Sequence, residues 1–465
     1  MRLIARIPFL IIGGQWYGAE SLGRLAYAII VVEFAALIAT LGLKRGLALH
    51  LAGDGKANGA WDAVLVVLLA TLTPTIIMMI FPQIMFPNSY INRLDNLLPL
   101  IIPALAVSDV TLAALAYRFD IIATVRARAV IEPWTISIVA LTLAWVLPND
   151  GMLVAYAASM VAALIASLIP FIKNYGLPKD WKPKPSALYA LARRNAPLAA
   201  ADAIEWGSRR LDLAILGLFV SPATVGIYWV AQQIASLPQK LKTSFDPVLG
   251  PVIARKLEEG DTPAVAKQIS QVGFWILAAQ VGVALTLGTS AGAILGLIGP
   301  KSGFVSGTGA LALLLIAEVA ASVAVVSESA LVYIARHRNM LISMAMIAVQ
   351  AALTVGFILI IKAQGFNEAW QAAGAAAALA VALGLSSLIK SRLAARLLHA
   401  PVSVWRWPLL TAAAAAIVTG QITIRLPEWA ELSIGLPAIL GVYCWIIWKR
   451  GFGEDDRMLL RKGEG

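Results

Sequence analysis

Apolar runs of about twenty residues, parted by short polar or basic stretches, recur from one end of the chain to the other. At 1.5 Å per residue each is long enough to cross a ~30 Å hydrocarbon core as a helix. The pattern predicts fourteen such helices. The first lies within MRLIARIPFLIIGGQWYG; it is short and reads as a membrane helix rather than a secretory signal, because further spans follow at once. Next come 22–43, 62–86, 97–117, 130–147 and 152–172. Residues 173–196 are the longest Pro- and Lys-rich polar stretch and read as a linker. Beyond it lie 197–220, 224–249, 271–289, 308–334, 340–361, 368–390, 407–424 and 432–448, then a polar tail. The expected fold is all-α and polytopic. Residues 1–172 form one six-helix lobe, 173–196 a cytoplasmic linker and 197–390 a second six-helix lobe. Residues 391–465 supply two extra helices and a cytoplasmic tail.

Composition agrees with this pattern. The chain of 465 residues is 60% hydrophobic and 14% charged, which excludes a soluble globular protein. Its net charge of +11 is not a nucleic-acid signal, because Lys and Arg gather in cytoplasmic loops. With the N-terminus inside, the inner loops and ends hold 28 of the 37 Lys and Arg residues. The outer loops hold Arg93, Lys301, Lys362 and Arg425. Both termini are therefore expected in the cytoplasm. Cys444 is the one cysteine, and His50, His337 and His399 lie far apart, so no disulfide, metal site, cofactor or catalytic dyad is expected.

Five basic residues remain inside helices: Arg24, Arg209, Arg210, Lys240 and Lys242. The run 211–220 is too short to span alone. Threading one helix through 211–235 would put every later basic end outside, against the positive-inside rule. So two helices cross here, turning at residues 221–224, and the first carries its charges at membrane depth. On it Asp202, Glu205, Arg209 and Asp212 are spaced 3, 4 and 3, on one face. On the second, Gln232, Ser236, Gln239, Thr243 and Asp246 are spaced 4, 3, 4 and 3, with Lys240 beside them. Such a stripe facing lipid costs ~2.5–3.5 kcal/mol per central charge, so it is expected to face a cavity. The eight charges from Asp202 to Asp246 sum to zero, which fits mutual pairing as well as ligand binding. Arg210, about 100° off the Arg209 face, is the cation least explained by pairing within its helix. Elsewhere Arg24 lies near the outer end of its helix, where snorkelling competes with a binding role. Glu33, Asp109 and Glu318 lie nearer mid-depth, as proton or Na+ coupling sites or as hydrogen-bonded core acids. Glu328 lies nearer the cytoplasmic end.

The halves echo each other. Tyr17-Gly18, Arg45 and Gly53-Asp54 correspond to Val225-Gly226, Arg255 and Gly260-Asp261, with Gly-to-Gly distances of 35 and 34 residues. An even number of helices per half makes this a parallel repeat, which suits alternating access between two lobes.

These residues also carry a family resemblance. Gly13-Gly14-Gln15-Trp16-Tyr17-Gly18, Leu41-Gly42-Leu43 with Gly46-Leu47, and Asp212 to Gly217 with Val225 to Tyr228, Asp246-Pro247-Val248 and Pro251 carry it. The pattern resembles the polysaccharide-transporter (Wzx-type) flippases of the multidrug/oligosaccharidyl-lipid/polysaccharide exporter superfamily. The resemblance implies two six-helix bundles plus two helices in the bacterial inner membrane. It implies flipping of an undecaprenyl-diphosphate-linked oligosaccharide from the cytoplasmic to the periplasmic leaflet, for O-antigen (lipopolysaccharide), capsule or exopolysaccharide synthesis. The polysaccharide polymerase machinery is the implied associate. The first helix is shorter than the family's, and the motifs do not separate the subgroup from lipid II flippases or drug antiporters.

A diphosphate and its sugars need cations and hydrogen-bonding groups, and arginine's planar fork suits phosphate. The substrate-binding candidates are Arg209, Arg210, Lys240, Gln232, Gln239 and Arg24. Glu205, Asp212, Asp246, Glu33, Asp109 and Glu318 are the ion-pair or coupling candidates. An ion-coupled multidrug or metabolite antiporter is the alternative. A polymerase or ligase is disfavoured, since the longest outer loop, about 290–306, holds no catalytic constellation, and the chain is not expected to be an enzyme.

Overall fold

In the computed structural model the structure describes residues 7–54, 57–178, 180–238, 246–299, 303–453 and 456–457; the side chains at 53, 54, 57, 246–249 and 251 lie outside it. Among the described residues every regular element is helical. Nine helices there are long and apolar enough to cross a membrane, and 325–334 and 408–423 are shorter apolar ones. Each of the fourteen predicted runs is occupied by helix, with three differences. Pro185–Leu216 begins twelve residues before the predicted start, taking in the second half of the polar stretch. Pro185 sits in its first turn, where a missing N–H costs nothing. Pro197, a natural place to draw a boundary, lies inside the helix instead. The run 224–249 is helical over Pro222–Ala235 and again from Asp246. The run 308–334 breaks between Ser322 and Val325.

The chain divides into two compact units, Met1–Ile227 and Tyr228–Gly465. In the first, α1 is Ile7–Ile12, α2 Gly18–Ala39, α3 Leu43–Asp54, α4 Ala57–Ile80 and α5 Ile101–Tyr117. They are followed by α6 Ile121–Val125, α7 Glu132–Leu143, α8 Gly151–Tyr175, α9 Pro185–Leu216 and the first turns of α10, Pro222–Ala235. The helix α9, placed by the repeat in the second lobe, packs here along α2.

The two run antiparallel over their length. The Tyr27 hydroxyl donates to the Ala214 carbonyl at 3.3 Å, and the Phe34 and Trp206 rings sit 4.5 Å apart. The turn after α2, with Leu41 and Gly42 both at positive φ, presses on Asn195 and Ala199. Glycine lets α2 approach both the end of α9 and the start of α10. A Cβ on Gly23 would lie 1.6 Å from the Pro222 carbonyl oxygen, and one on Gly226 2.0 Å from that of Ala19. Gly217 likewise leaves room for the Tyr27 ring. The Leu-Gly-Leu and Val-Gly patterns are thus contact points between backbones. The polar stretch after α8 is pinned as well. Trp61 donates to the Gly176 carbonyl at 3.1 Å and Trp181 to Asp62 at 2.7 Å.

In the second unit, Glu368–Leu398 packs against Thr308–Ser322 and Arg336–Ala363. Thr262–Thr289 packs against Pro408–Thr423 and Leu436–Ile446 through Phe274, Leu277, Leu409, Ala412, Ile439 and Tyr443. The tail closes this end. The buried Asp456 accepts from Arg406 at 2.6 Å, Gln271 at 2.8 Å, Trp275 at 3.0 Å and the Gly453 N–H at 2.8 Å. Burial alone would raise its carboxyl pKa, but these donors outweigh burial and hold it below the usual carboxylate range.

Two outcomes follow. Gly23→Ala should cost about 1–3 kcal/mol or more by overpacking, read as a lower melting temperature in detergent; an unchanged melt would disprove the close crossing. The Asp456 anchor should be fully in place at neutral pH and survive through about pH 4, the unfolded aspartate value, loosening only as pH falls through its depressed folded value. Hydrogen exchange at residues 449–457 checks this, and loosening already near pH 5–6 would contradict it.

Candidate functional site

The charged face predicted on α9 exists, and α2 and α3 complete it. Arg45, at the start of α3, donates its Nε to Asp202 Oδ1 at 2.5 Å and its Nη2 to Glu205 Oε2 at 2.6 Å. Arg209 Nη2 lies 3.5 Å from the other oxygen of Glu205, the predicted i, i+4 pair. Arg210, which had no partner on its own helix, lies 4.0 Å from Glu33 on α2. Asp202 and Asp212 are buried, while the side chains of Arg209 and Arg210 are 46% and 27% exposed. Arg209 is seven residues before Leu216, about 10 Å along the axis from the end of α9. These cations therefore stand about two turns in from the end of α9, with part of each side chain exposed.

A second group meets the first at α3. Asp109, half-buried on α5, pairs with Lys44 at 3.2 Å and makes a short contact with Arg128. Arg128 also donates to Glu132 at 3.0 Å. The adjacent Lys44 and Arg45 thus point to different acids, Asp109 on α5 and Asp202 with Glu205 on α9. Across both groups Lys44, Arg45, Arg128, Arg209 and Arg210 face Glu33, Asp109, Glu132, Asp202 and Glu205. Balanced charge is what lets ionised groups persist in an apolar lobe. Lys44, Arg45 and Arg128 are members that sequence reasoning missed, because it assigned them to basic loops. Arg128 and Glu132, four apart before an apolar run, were the available signal.

Arg24 belongs to a separate cluster. Its guanidinium is enclosed, 2.8 Å from Asp95 and 3.6 Å from Asp150, and 4.2 Å from the centre of the Tyr90 ring. Asn92 ties the two acids together, its backbone N–H donating to Asp95 and its side chain to Asp150. Arg24 therefore turns inward rather than snorkelling. It holds the 88–95 loop, whose Asn88 donates to the Gly217 and Val220 carbonyls at 2.9 and 3.0 Å.

Of the remaining candidates, Gln232 is half-buried on α10 and Glu318 half-buried on 308–322, both with partners. Glu328 pairs with the buried Lys390 at 2.8 Å. Gln239 and Lys240 lie outside the described residues, as does the side chain of Asp246. Among the described residues no group of His, Cys, Asp and Glu could hold a metal ion.

Removing one partner of a buried ion pair strands the other. Arg128→Met should therefore cost toward the lower end of ~3–5 kcal/mol, since the pair is only partly buried. Adding Asp109→Asn should recover most of the loss. Melting temperatures of the single and double variants check this; a double variant no more stable than the single would show that the pair does not hold α5 to the turn 126–131 that leads into α7.

The family described as "Polysaccharide biosynthesis protein" matches residues 18–296. No curated protein matches the sequence. Among solved structures, the lipid II flippase MurJ in an inward closed conformation aligns with a TM-score of 0.69 at 12% identity, covering 95% of this chain and 96% of that one. An inward-facing multidrug resistance MATE family transporter of the MOP superfamily aligns at 0.66 and 16%, covering 86% and 98%. An outward-facing MATE family transporter aligns at 0.53 and 15%, covering 86% and 95%. At such identities the likeness is one of fold, that of MOP-superfamily transporters.

Proposed function

The chain belongs to the polysaccharide biosynthesis protein family, and on that footing we propose that it flips an undecaprenyl-diphosphate-linked oligosaccharide from the cytoplasmic to the periplasmic leaflet. It is a multi-pass membrane transporter with a flippase-like fold. The product feeds O-antigen, capsule or exopolysaccharide synthesis, with polymerase machinery as the associate. The chain sits in the bacterial inner membrane with both termini in the cytoplasm. Transport is by alternating access between the repeated lobes 1–172 and 197–390, and no covalent bond is broken, so the protein is not an enzyme.

The observation that carries this reading is the pair Arg209 and Arg210, whose side chains are part-exposed on a helix that packs along α2. A diphosphate leaving water needs cations that are accessible, and a guanidinium can grip two phosphate oxygens at once. The polyprenyl tail needs no such help, because it stays in lipid. Gln232, Gln239 and Lys240 are the further polar residues assigned to the substrate on this reading. Glu33, Asp109 and Glu318 are the acids through which H+ or Na+ would drive the cycle.

The alternative is an ion-coupled efflux of a soluble cation, favoured by the MATE-like fold. The two readings separate in a deletion strain. Flipping predicts loss of surface polysaccharide, restored by the wild-type gene. Arg210→Ala and Lys240→Ala should each lower export by about 10-fold or more, with normal amounts of folded protein, because each charge-assisted hydrogen bond to phosphate contributes ~1.5–3 kcal/mol. Normal export from both variants would remove the phosphate role. Gradient-driven cation efflux from vesicles without any polysaccharide defect would favour the antiporter.

A further inference from the structure

Glu205 stands where a phosphate would stand. Its carboxylate lies between two guanidinium groups, 2.6 Å from Arg45 Nη2 through one oxygen and 3.5 Å from Arg209 Nη2 through the other. The three side chains are 53%, 49% and 46% exposed. Arg45 is held differently on its other donor. Its Nε is tied at 2.5 Å to Asp202, which is buried. The Nε–Nη2 edge of Arg45 is thus filled by one oxygen from each of two carboxylates, the pattern that one phosphate makes with a single arginine fork.

We propose that Glu205 is a built-in occupant of a phosphate-binding site formed by Arg45 and Arg209, and that an incoming diphosphate displaces it. The inference rests on the reading of a diphosphate-bearing substrate and adds to it a site, an internal competitor and a division of labour. Asp202 is a positioning residue. It keeps the Arg45 guanidinium aimed at the site whether or not substrate is present. Glu205 is the exchangeable anion. An exposed ion pair contributes little free energy, so its exchange is cheap. The phosphate restores a bidentate, charge-assisted contact in its place. While Glu205 is in place, it serves as a counter-charge shared by the two guanidinium groups. The device also favours ligands with phosphate over monovalent anions, which gain less by displacing a carboxylate already in position.

The test is a titration of the purified full-length protein in detergent with inorganic pyrophosphate and, separately, farnesyl diphosphate. Glu205→Gln keeps the shape of the side chain and removes the competing charge. It should bind pyrophosphate about two- to fivefold more tightly than wild type, the scale of one exposed ion pair. Glu205→Ala should show the same gain, and Arg209→Gln added to Glu205→Gln should abolish it. Melting temperatures within a few degrees of wild type qualify the comparison, and Glu205→Ala serves if Glu205→Gln does not fold. Equal or weaker pyrophosphate binding by both Glu205 variants would overturn the proposal. A gain for pyrophosphate with no binding of farnesyl diphosphate by any form would leave the masked site standing and remove the lipid-diphosphate reading.

Discussion

An ionised side chain in an apolar lobe must find an opposite charge or water, and that requirement organises the first half of this protein. Ten charged groups gather where α2, α3, α5, α7 and α9 meet, and they balance. The balance is not evenly buried. Asp202 is enclosed, whereas Arg45, Glu205 and Arg209 are about half exposed. Buried members set position; exposed members remain available for exchange. On the proposed reading the same chemistry serves stability at one end of a carboxylate pair and phosphate binding at the other.

Close backbone approach is the second condition. The pairing of Arg210 with Glu33 and of Arg45 with Asp202 depends on α2 and α9 staying in register from Gly23 to Gly42. A side chain at Gly217 would push α2 from α9, and one at Gly23 or Gly226 would push α2 from the start of α10, and either would carry the ion pairs farther along out of reach. Packing and electrostatics are thus coupled along one helix pair. The Arg24 cluster works in the same direction from the other end, by holding the loop whose Asn88 caps the α9–α10 turn.

The flippase and antiporter readings share this framework. A common fold with MATE transporters and with MurJ places them in one superfamily architecture, in which function lies in the side chains that a lobe exposes. Here those side chains are arginines met by carboxylates, a set suited to an anionic headgroup. A soluble cation would instead call for uncompensated acids at the same depth.

Hydropathy alone determined the helical class, the approximate position of the long apolar helices and the presence of charge on α9. These follow from local periodicity, because a helix in lipid must be apolar over a set length whatever its neighbours are. The i, i+4 relation of Glu205 and Arg209 was legible for the same reason. Partners across helices were not. Lys44, Arg45 and Arg128 look like loop charges in the sequence, and only packing brings them to Asp109, Asp202 and Glu205. Arg24 read as a snorkelling or a binding cation, and it is enclosed by Asp95 and Asp150, far along the chain. The glycines read as family motifs, and the tertiary structure supplied their reason, a contact between backbones that no spacing along one strand of sequence encodes. Local pattern sets what each helix is; which charges meet is decided by distances between helices, and those exist only once the chain has folded.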